Sequence, residues 1–222
     1  DYGTENFNGE LKHLRVWNVV KSQIDIQSNL YEYRQNNLYI TIGLAEQPDF
    51  SGDINTERFK FNGSSDYFEI PSNIAPQLAG SDFTIEFWFN LHTIDSVHSP
   101  VYFQGTHDTD LAEILISFFQ VAAEYWCWFT FCNSSRYFTF SSSLLNTWNH
   151  CAITFDYSNP SDRKMYLNGV SQTLTTLGTS PNGVTTATGK VTIGTTFSTS
   201  EYFEGELKHL RVYNDIRTQT EI

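Results

Sequence analysis

Apolar and polar residues alternate along most of this chain with the period of two that a half-buried strand requires. FTIEFWFNL (83–91) carries the clearest pattern. Phe83, Ile85, Phe87, Phe89 and Leu91 point one way, and Thr84, Glu86, Trp88 and Asn90 the other. One face is core and the other is mixed, as a sandwich sheet requires. Similar short runs are RFKFNG, YFEIP, PVYFQG, EILISFFQ, YWCWFTFC, RYFTFSS, HCAITFDY, KMYLNGV, KVTIGTT and ELKHLRVY. They recur about every ten residues between clusters of Gly, Asn, Asp, Ser and Pro, the signature of a sandwich or barrel. Asn168-Gly169 marks a two-residue hairpin, because a type I′ turn needs positive φ at both central residues. Helical periodicity is nearly absent; only SNIAPQLAG (72–80) offers a short helical turn, which Pro76 limits. The pattern predicts an all-β chain with Phe61, Ile70, Phe83, Ile85, Phe87, Ile153, Leu167, Ile193, Leu210 and Val212 in its core.

A long internal repeat adds organisation. Residues 7–18 read FNGELKHLRVWN and residues 203–214 read FEGELKHLRVYN, an offset of 196 residues from Gly9 to Gly205. Only Asn8/Glu204 and Trp17/Tyr213 differ, and weaker similarity continues to Ile26 and Ile222. The period far exceeds that of a solenoid unit and has the size of a domain. The economical reading is a tandem array. Residues 1–26 are then the closing strand and tail of a preceding repeat, 27–37 a polar linker, and 38–222 one entire domain. Within the last, LYITIGL (38–44) alternates like a strand and EQPDFSGD (46–53) reads as a loop.

Composition narrows the function. Hydrophobic residues make up 40% and aromatic residues 16%, ample for a core. The formal charge of -12 disfavours nucleic acid, whose phosphates need clustered Lys and Arg, and disfavours an anionic membrane surface. No apolar run approaches the roughly 20 residues of a membrane span. The chain opens on a polar segment without Met, as an excised piece of a longer protein would. The acidic, Lys-poor, Thr/Ser/Asn-rich composition points to the cell surface or the extracellular space. Cys127, Cys132 and Cys151 are odd in number, so at least one is a free thiol or bonds another chain, and their spacing matches no zinc site.

Six segments together resemble a known family. FNGSSDYFEI (61–70), FTIEFWFN (83–90), WNHCAITFD (148–156), MYLNG (165–169), VTIG (191–194) and GELKHLRVYN (205–214) follow in order the motifs of the laminin-G-like and pentraxin-like concanavalin A sandwich. The resemblance covers roughly residues 38–222. It implies a two-sheet antiparallel jelly-roll sandwich of about 12–14 strands, and binding or adhesion more often than catalysis. Many bacterial members carry an acidic residue where the closing strand here has Lys208 and His209 (Lys12 and His13 in the first copy). A calcium site using that position is not carried over.

Several residues are candidates for chemistry. Glucanases sharing this sandwich hydrolyse with paired carboxylates on alternate positions of one strand. Here Glu69, Glu86, Glu113 and Glu124 each stand alone, and no G-x-S-x-G or H-E-x-x-H occurs, so the chain reads as no enzyme. Family members often place a calcium-ligand aspartate in the loop after the VYF strand. In that loop (105–110), Asp108 and Asp110 present two carboxylates two residues apart, suited to calcium or to a solvated acidic turn. Asp49 and Asp66 are weaker calcium candidates, and Asp66 reads better as a turn cap. His13, His150 and His209 read as structural, His150 hydrogen-bonded at the sandwich edge. Asn62-Gly63-Ser64 and Asn133-Ser134-Ser135 match the glycosylation sequon, the first being part of the sandwich motif.

The aromatics remain. In YWCWFTFC, Trp126, Trp128, Thr130 and Cys132 share one face, and Tyr125, Cys127, Phe129 and Phe131 the other. Both faces are apolar, and a core needs one. The spare face is a sugar-stacking platform, a contact with a neighbouring domain, or a strand covered by loops. Tyr137 joins whichever face its register selects.

These readings favour a non-catalytic adhesive or structural module of a tandem-repeat surface or secreted protein, binding glycan or protein partners. The alternatives are a calcium-dependent lectin domain and an accessory binding domain of an exported enzyme. Residues 1–26 carry a strand whose own sandwich is not in this chain. Unpaired backbone groups keep it from standing alone in water, and residues 205–214 already occupy the matching slot. It therefore pairs with a sheet edge of this chain, with neighbouring repeats, or with another molecule, in the last case giving a homo-oligomer or filament.

Overall fold

The computed structural model describes residues 58–222 except 73–74, 77, 79, 95–97, 106–113, 132–133, 160–161, 179–188 and 197–200. The chain divides into two compact units, Asp1–Gln35 and Asn36–Ile222. The first repeat copy, the linker, the LYITIGL segment, Asp49, Asp108, Asp110, Cys132 and Asn133 lie outside the described residues.

Thirteen strands are described: β1 (Phe59–Asn62), β2 (Phe68–Ile70), β3 (Phe83–Leu91), β4 (Ser99–Gly105), β5 (Ile114–Val121), β6 (Glu124–Phe131), β7 (Ser134–Phe140), β8 (Asn149–Phe155), β9 (Lys164–Leu167), β10 (Val170–Ser171), β11 (Thr175–Gly178), β12 (Lys190–Ile193) and β13 (Glu204–Tyr213). They form a six-stranded sheet, β1-β13-β3-β8-β9-β10, and a seven-stranded sheet, β11-β7-β6-β5-β4-β12-β2, with antiparallel pairings. This is the two-sheet sandwich that the alternation and the motifs predict. The helical content among the described residues is one 3₁₀ turn, Ser142–Leu144. In the SNIAPQLAG segment, Ala75 N donates to Pro71 O at 3.0 Å. β11 escaped the sequence reading because TTLG offers a single apolar side chain, Leu177, which is exposed on an edge strand.

The core lies between the sheets and is mainly phenylalanine. Phe83, Ile85, Phe87, Phe89 and Leu91 of β3 are all buried. Rings from the two sheets meet as Phe89–Phe118 at 4.6 Å, Phe131–Phe155 at 4.3 Å and Phe83–Phe131 at 5.6 Å, separations that favour tilted and edge-on aromatic pairs. Two residues expected in the core, Leu167 and Leu210, only pack against its margin. Leu167 ends β9 one residue before the hairpin turn. Leu210 lies where β13 shifts register between Lys208 and Arg211, with His209 at φ +52°, so the alternation that would bury it is broken.

The turns follow their residues. Asn168 and Gly169 have φ of +51° and +75°, as a type I′ turn needs. Asn168 Oδ1 also accepts a hydrogen bond from the His150 backbone N–H at 2.8 Å, tying the hairpin to β8. In the loop after β1, Asn62 Oδ1 accepts from the N–H groups of Ser64, Ser65 and Asp66, and Asp66 Oδ2 accepts from Asn62 N–H at 3.0 Å. Asp66 thus closes a turn.

Candidate functional site

The residues of interest lie on the outer face of the seven-stranded sheet. Along β6, Cys127, Phe129 and Phe131 are buried in the core, so the pleat turns Trp126 and Trp128 outward. The β5–β6 register places Phe119 opposite Trp126 and Ser117 opposite Trp128. The β6–β7 register places Tyr137 opposite Trp128. The sheet therefore brings Trp126, Trp128 and Tyr137 together on one face.

Their rings are nearly parallel. Trp126 and Tyr137 stack face to face, centroids 3.8 Å apart with 6° between planes. Trp128 lies 6.1 Å from Trp126 and 5.9 Å from Tyr137, tilted by 8° and 13°. Phe119 meets the two indoles at 5.4 and 5.2 Å. His98 packs 4.7 Å from Phe119, and its Nδ1 is hydrogen-bonded to Ser117 Oγ at 2.9 Å. All five aromatic side chains are half-buried. Trp126 Nε1 donates to Glu124 Oε2 at 3.1 Å, and Trp128 Nε1 donates to Thr130 Oγ1, which in turn bonds Ser135 Oγ at 2.9 Å. The indole N–H groups are thus held within the sheet, which fixes the rings' orientation. Phe119 and His98 were not singled out from the sequence. Phe119 was legible as the outward member of the Phe118-Phe119 pair. Its alignment with Trp126 depends on the Ala122-Ala123 turn, where Ala122 has φ +54°, a turn without the usual Gly or Asn signal.

The outer face of the six-stranded sheet is built differently. Glu86 is buried, 4% exposed, although it points away from the core. Its Oε1 accepts from Arg211 at 2.8 Å and from the Tyr213 hydroxyl at 2.9 Å, and its Oε2 is 3.8 Å from His150 Nε2. Burial pushes the His150 pKa below the usual histidine value; Glu86 pulls it up and Arg211 pushes it down again. His150 is structural as expected, but it stands on β8 between β3 and β9, an internal position and not an edge, because the W-x-H strand is paired on both sides. Glu206 is engaged by Asn90 at 3.1 Å and by Arg58 at 3.4 Å. Lys208 lies over Trp88 at 5.4 Å and Trp148 at 4.2 Å, a cation held against two indoles.

Three of the four solitary carboxylates have structural partners: Glu69 pairs with Lys190 at 2.8 Å, Glu86 with Arg211, and Glu124 with the Trp126 indole; Glu113 lies outside the described residues. Among the described residues, no cluster of three or more His, Cys, Asp or Glu side chains could hold a metal ion. Nor is any helix among them long and apolar enough to cross a membrane.

Residues 62–222 match the Laminin_G_3 family, described as the concanavalin A-like lectin/glucanases superfamily. The chain belongs to this family. No curated protein sequence matches it. Solved structures with the same fold include the native heptameric SAP-like pentraxin of Limulus polyphemus, at 15% identity over 73% of this chain and 77% of that one, TM-score 0.53. The Ruminococcus gnavus IT-sialidase CBM40 bound to α2,3-sialyllactose is similar at 15% identity over 75% and 94%, TM-score 0.55. Mouse laminin α1 domains LG4-5 are similar at 8% identity over 82% of this chain and 47% of theirs, TM-score 0.52. At these identities the likeness is one of fold. A superfamily of both lectins and glucanases leaves the function to the site.

Proposed function

We propose that this chain is a non-catalytic, extracellular binding module that takes a glycan on the outer face of its seven-stranded sheet, at Trp126, Trp128 and Tyr137. The observation that carries this reading is the set of three rings parallel within 13°, half-buried and surplus to the core. Trp126, Trp128 and Tyr137 are each half-buried, so part of every ring is open to a ligand. The apolar C–H face of a pyranose packs on such a ring, and the hydroxyls around it need donors and acceptors nearby. Glu124 and His98 flank the rings. The formal charge of -12 favours a neutral sugar over a sialylated or sulfated one, because like charges repel. The CBM40 above shares this fold and is bound to a sugar, which supports the class of ligand without supplying its identity.

The test is a panel of neutral oligosaccharides screened against the wild type and against Trp126→Ala, Trp128→Ala and Tyr137→Ala. Loss of tenfold or more in affinity with unchanged circular dichroism supports the proposal, a loss expected for aromatic anchors in a binding site. Retained binding in all three variants overturns it.

A second reading concerns assembly. β13 uses Gly205 for its close approach to β3, Glu206, Lys208 and Arg211 for its polar contacts, and Leu207 and Val212 for the core. Gly9, Glu10, Lys12, Arg15, Leu11 and Val16 repeat all six. Residues 7–18 therefore have the side chains of a closing strand, for a neighbouring repeat or for another copy of this chain. Asp108 and Asp110 remain the proposed calcium ligands of a calcium-dependent lectin, tested by thermal stability with calcium and with a chelator.

A further inference from the structure

Cys127 and Cys151 face each other across the core. Cys127 lies on β6 of the seven-stranded sheet, between the two tryptophans, and Cys151 lies on β8 of the six-stranded sheet. Both are buried with no exposure, and their sulfurs are 4.0 Å apart. A disulfide needs about 2.0 Å between sulfurs, so an approach of about 2 Å joins the two sheets through their centre. Both strands are laddered to a neighbour on each side, and both side chains are buried in the core.

We infer that Cys127 and Cys151 form a cross-sheet disulfide when the domain folds in the presence of a low-molecular-weight disulfide. Each thiol gives up its proton and one electron. The S–S bond of the small disulfide breaks and its two sulfurs leave as thiols, while one S–S bond forms in the protein. The reaction has to precede closure of the core. In the folded, reduced domain burial holds the Cys127 thiol protonated, with Cys151 adding to the effect, and neither sulfur meets solvent. Native reduced protein is therefore inert to the same oxidant. The inference does not depend on the glycan reading, since it rests on the core alone. It also resolves the odd cysteine count: Cys132 is the thiol left over.

The bridge spans 24 residues of chain and fixes the strand that carries Trp126 and Trp128 to the opposite sheet. A loop of that size confines the unfolded chain enough to raise Tm by roughly 5–10 °C in a domain of this size.

The experiment refolds the full chain from denatured, reduced protein in an oxidised/reduced glutathione buffer, then alkylates it in denaturant and measures intact and peptide masses. The expected result is one alkylated cysteine, a peptide pair linked through Cys127 and Cys151, and a Tm several degrees above that of protein refolded with reductant. Cys132→Ser keeps the linked pair, and Cys151→Ser loses it. Three alkylated cysteines in the oxidatively refolded wild type overturn the inference. So does a link that includes Cys132, or a Cys132→Ser variant with two free thiols, and neither outcome requires the core variant to fold.

Discussion

Gly205→Ala is expected to be among the most damaging single-methyl additions in this domain. Gly205 stands at φ +156° in the second position of β13, opposite Leu91 of β3. A Cβ there would lie 2.3 Å from the Asn90 carbonyl oxygen and 3.0 Å from the Phe203 ring. Ordinary carbon–oxygen contact is more than 3 Å, so the two strands must part by close to 1 Å. β13 cannot yield easily, because it is paired with β1 on one side and β3 on the other. Overpacking costs about 1–3 kcal/mol and the unfavourable backbone region about 1–3 kcal/mol more. Their sum is about 2–6 kcal/mol, a large share of the roughly 5–15 kcal/mol that holds a typical domain together. Gly80→Ala is the control, since Gly80 has φ +71° but nothing within 4 Å of the added methyl, so it carries only the backbone strain of about 1–2 kcal/mol. Urea unfolding followed by tryptophan fluorescence reads both. The expected result is a much lower midpoint for Gly205→Ala than for Gly80→Ala at an unchanged m-value. Equal midpoints would refute the claim that close approach to β3 is what demands glycine.

Phe87→Ala should cost about 3–5 kcal/mol in the same assay, whereas Leu210→Ala, at the margin of the core beside the bulge, should fall below the 2–5 kcal/mol of a fully buried leucine; the reverse order would contradict the placement of Leu210. His150 stays neutral in the folded state at a pH where the unfolded chain protonates it. Unfolding then takes up a proton, so its contribution to stability is present above the ordinary histidine pKa of about 6.5 and is lost as the pH falls below it. The urea midpoint of His150→Gln should accordingly drop less than that of the wild type between about pH 7.5 and 5.5, and parallel curves would exclude His150 as a source of the slope. Gly9→Ala should weaken any self-association seen by size-exclusion chromatography if residues 7–18 take a closing-strand slot, and unchanged association would remove that route.

The fold was legible because its elements are consistent at every level: period-two patterning in β3, the Asn168-Gly169 turn and six motifs in sequence order all require the same sandwich. What escaped has local causes. β11 is an edge strand whose single large apolar side chain, Leu177, is exposed, so burial leaves no mark on its sequence. The bulge in β13 depends on one residue, His209, entering the left-handed region, and histidine's enrichment there is too weak a signal to place a bulge within a strand pattern. The outward aromatic face could be read from β6 alone, because Phe129 and Phe131 fix which side is core. That Tyr137 stacks on Trp126 depends on the β6–β7 register, and Phe119 joins them through a hairpin turn at Ala122-Ala123 that carries no strong signal. The opposite sheet shows a further limit. Glu86, solitary in sequence, has its partners Arg211 and Tyr213 more than a hundred residues away, and only the pairing of β3 with β13 brings them together.

Whether the tryptophans of β6 serve binding or folding is decided by a single comparison. Trp126→Ala and Trp128→Ala are set beside Trp88→Ala, an exposed tryptophan of the opposite sheet, by calorimetric titration with whichever neutral oligosaccharide the panel selects. If they serve binding, the two β6 variants lose at least tenfold in affinity, Trp88→Ala binds like the wild type, and all three keep the wild-type circular dichroism spectrum. Equal binding by all three variants, or loss of the folded spectrum in both β6 variants, would contradict a binding role.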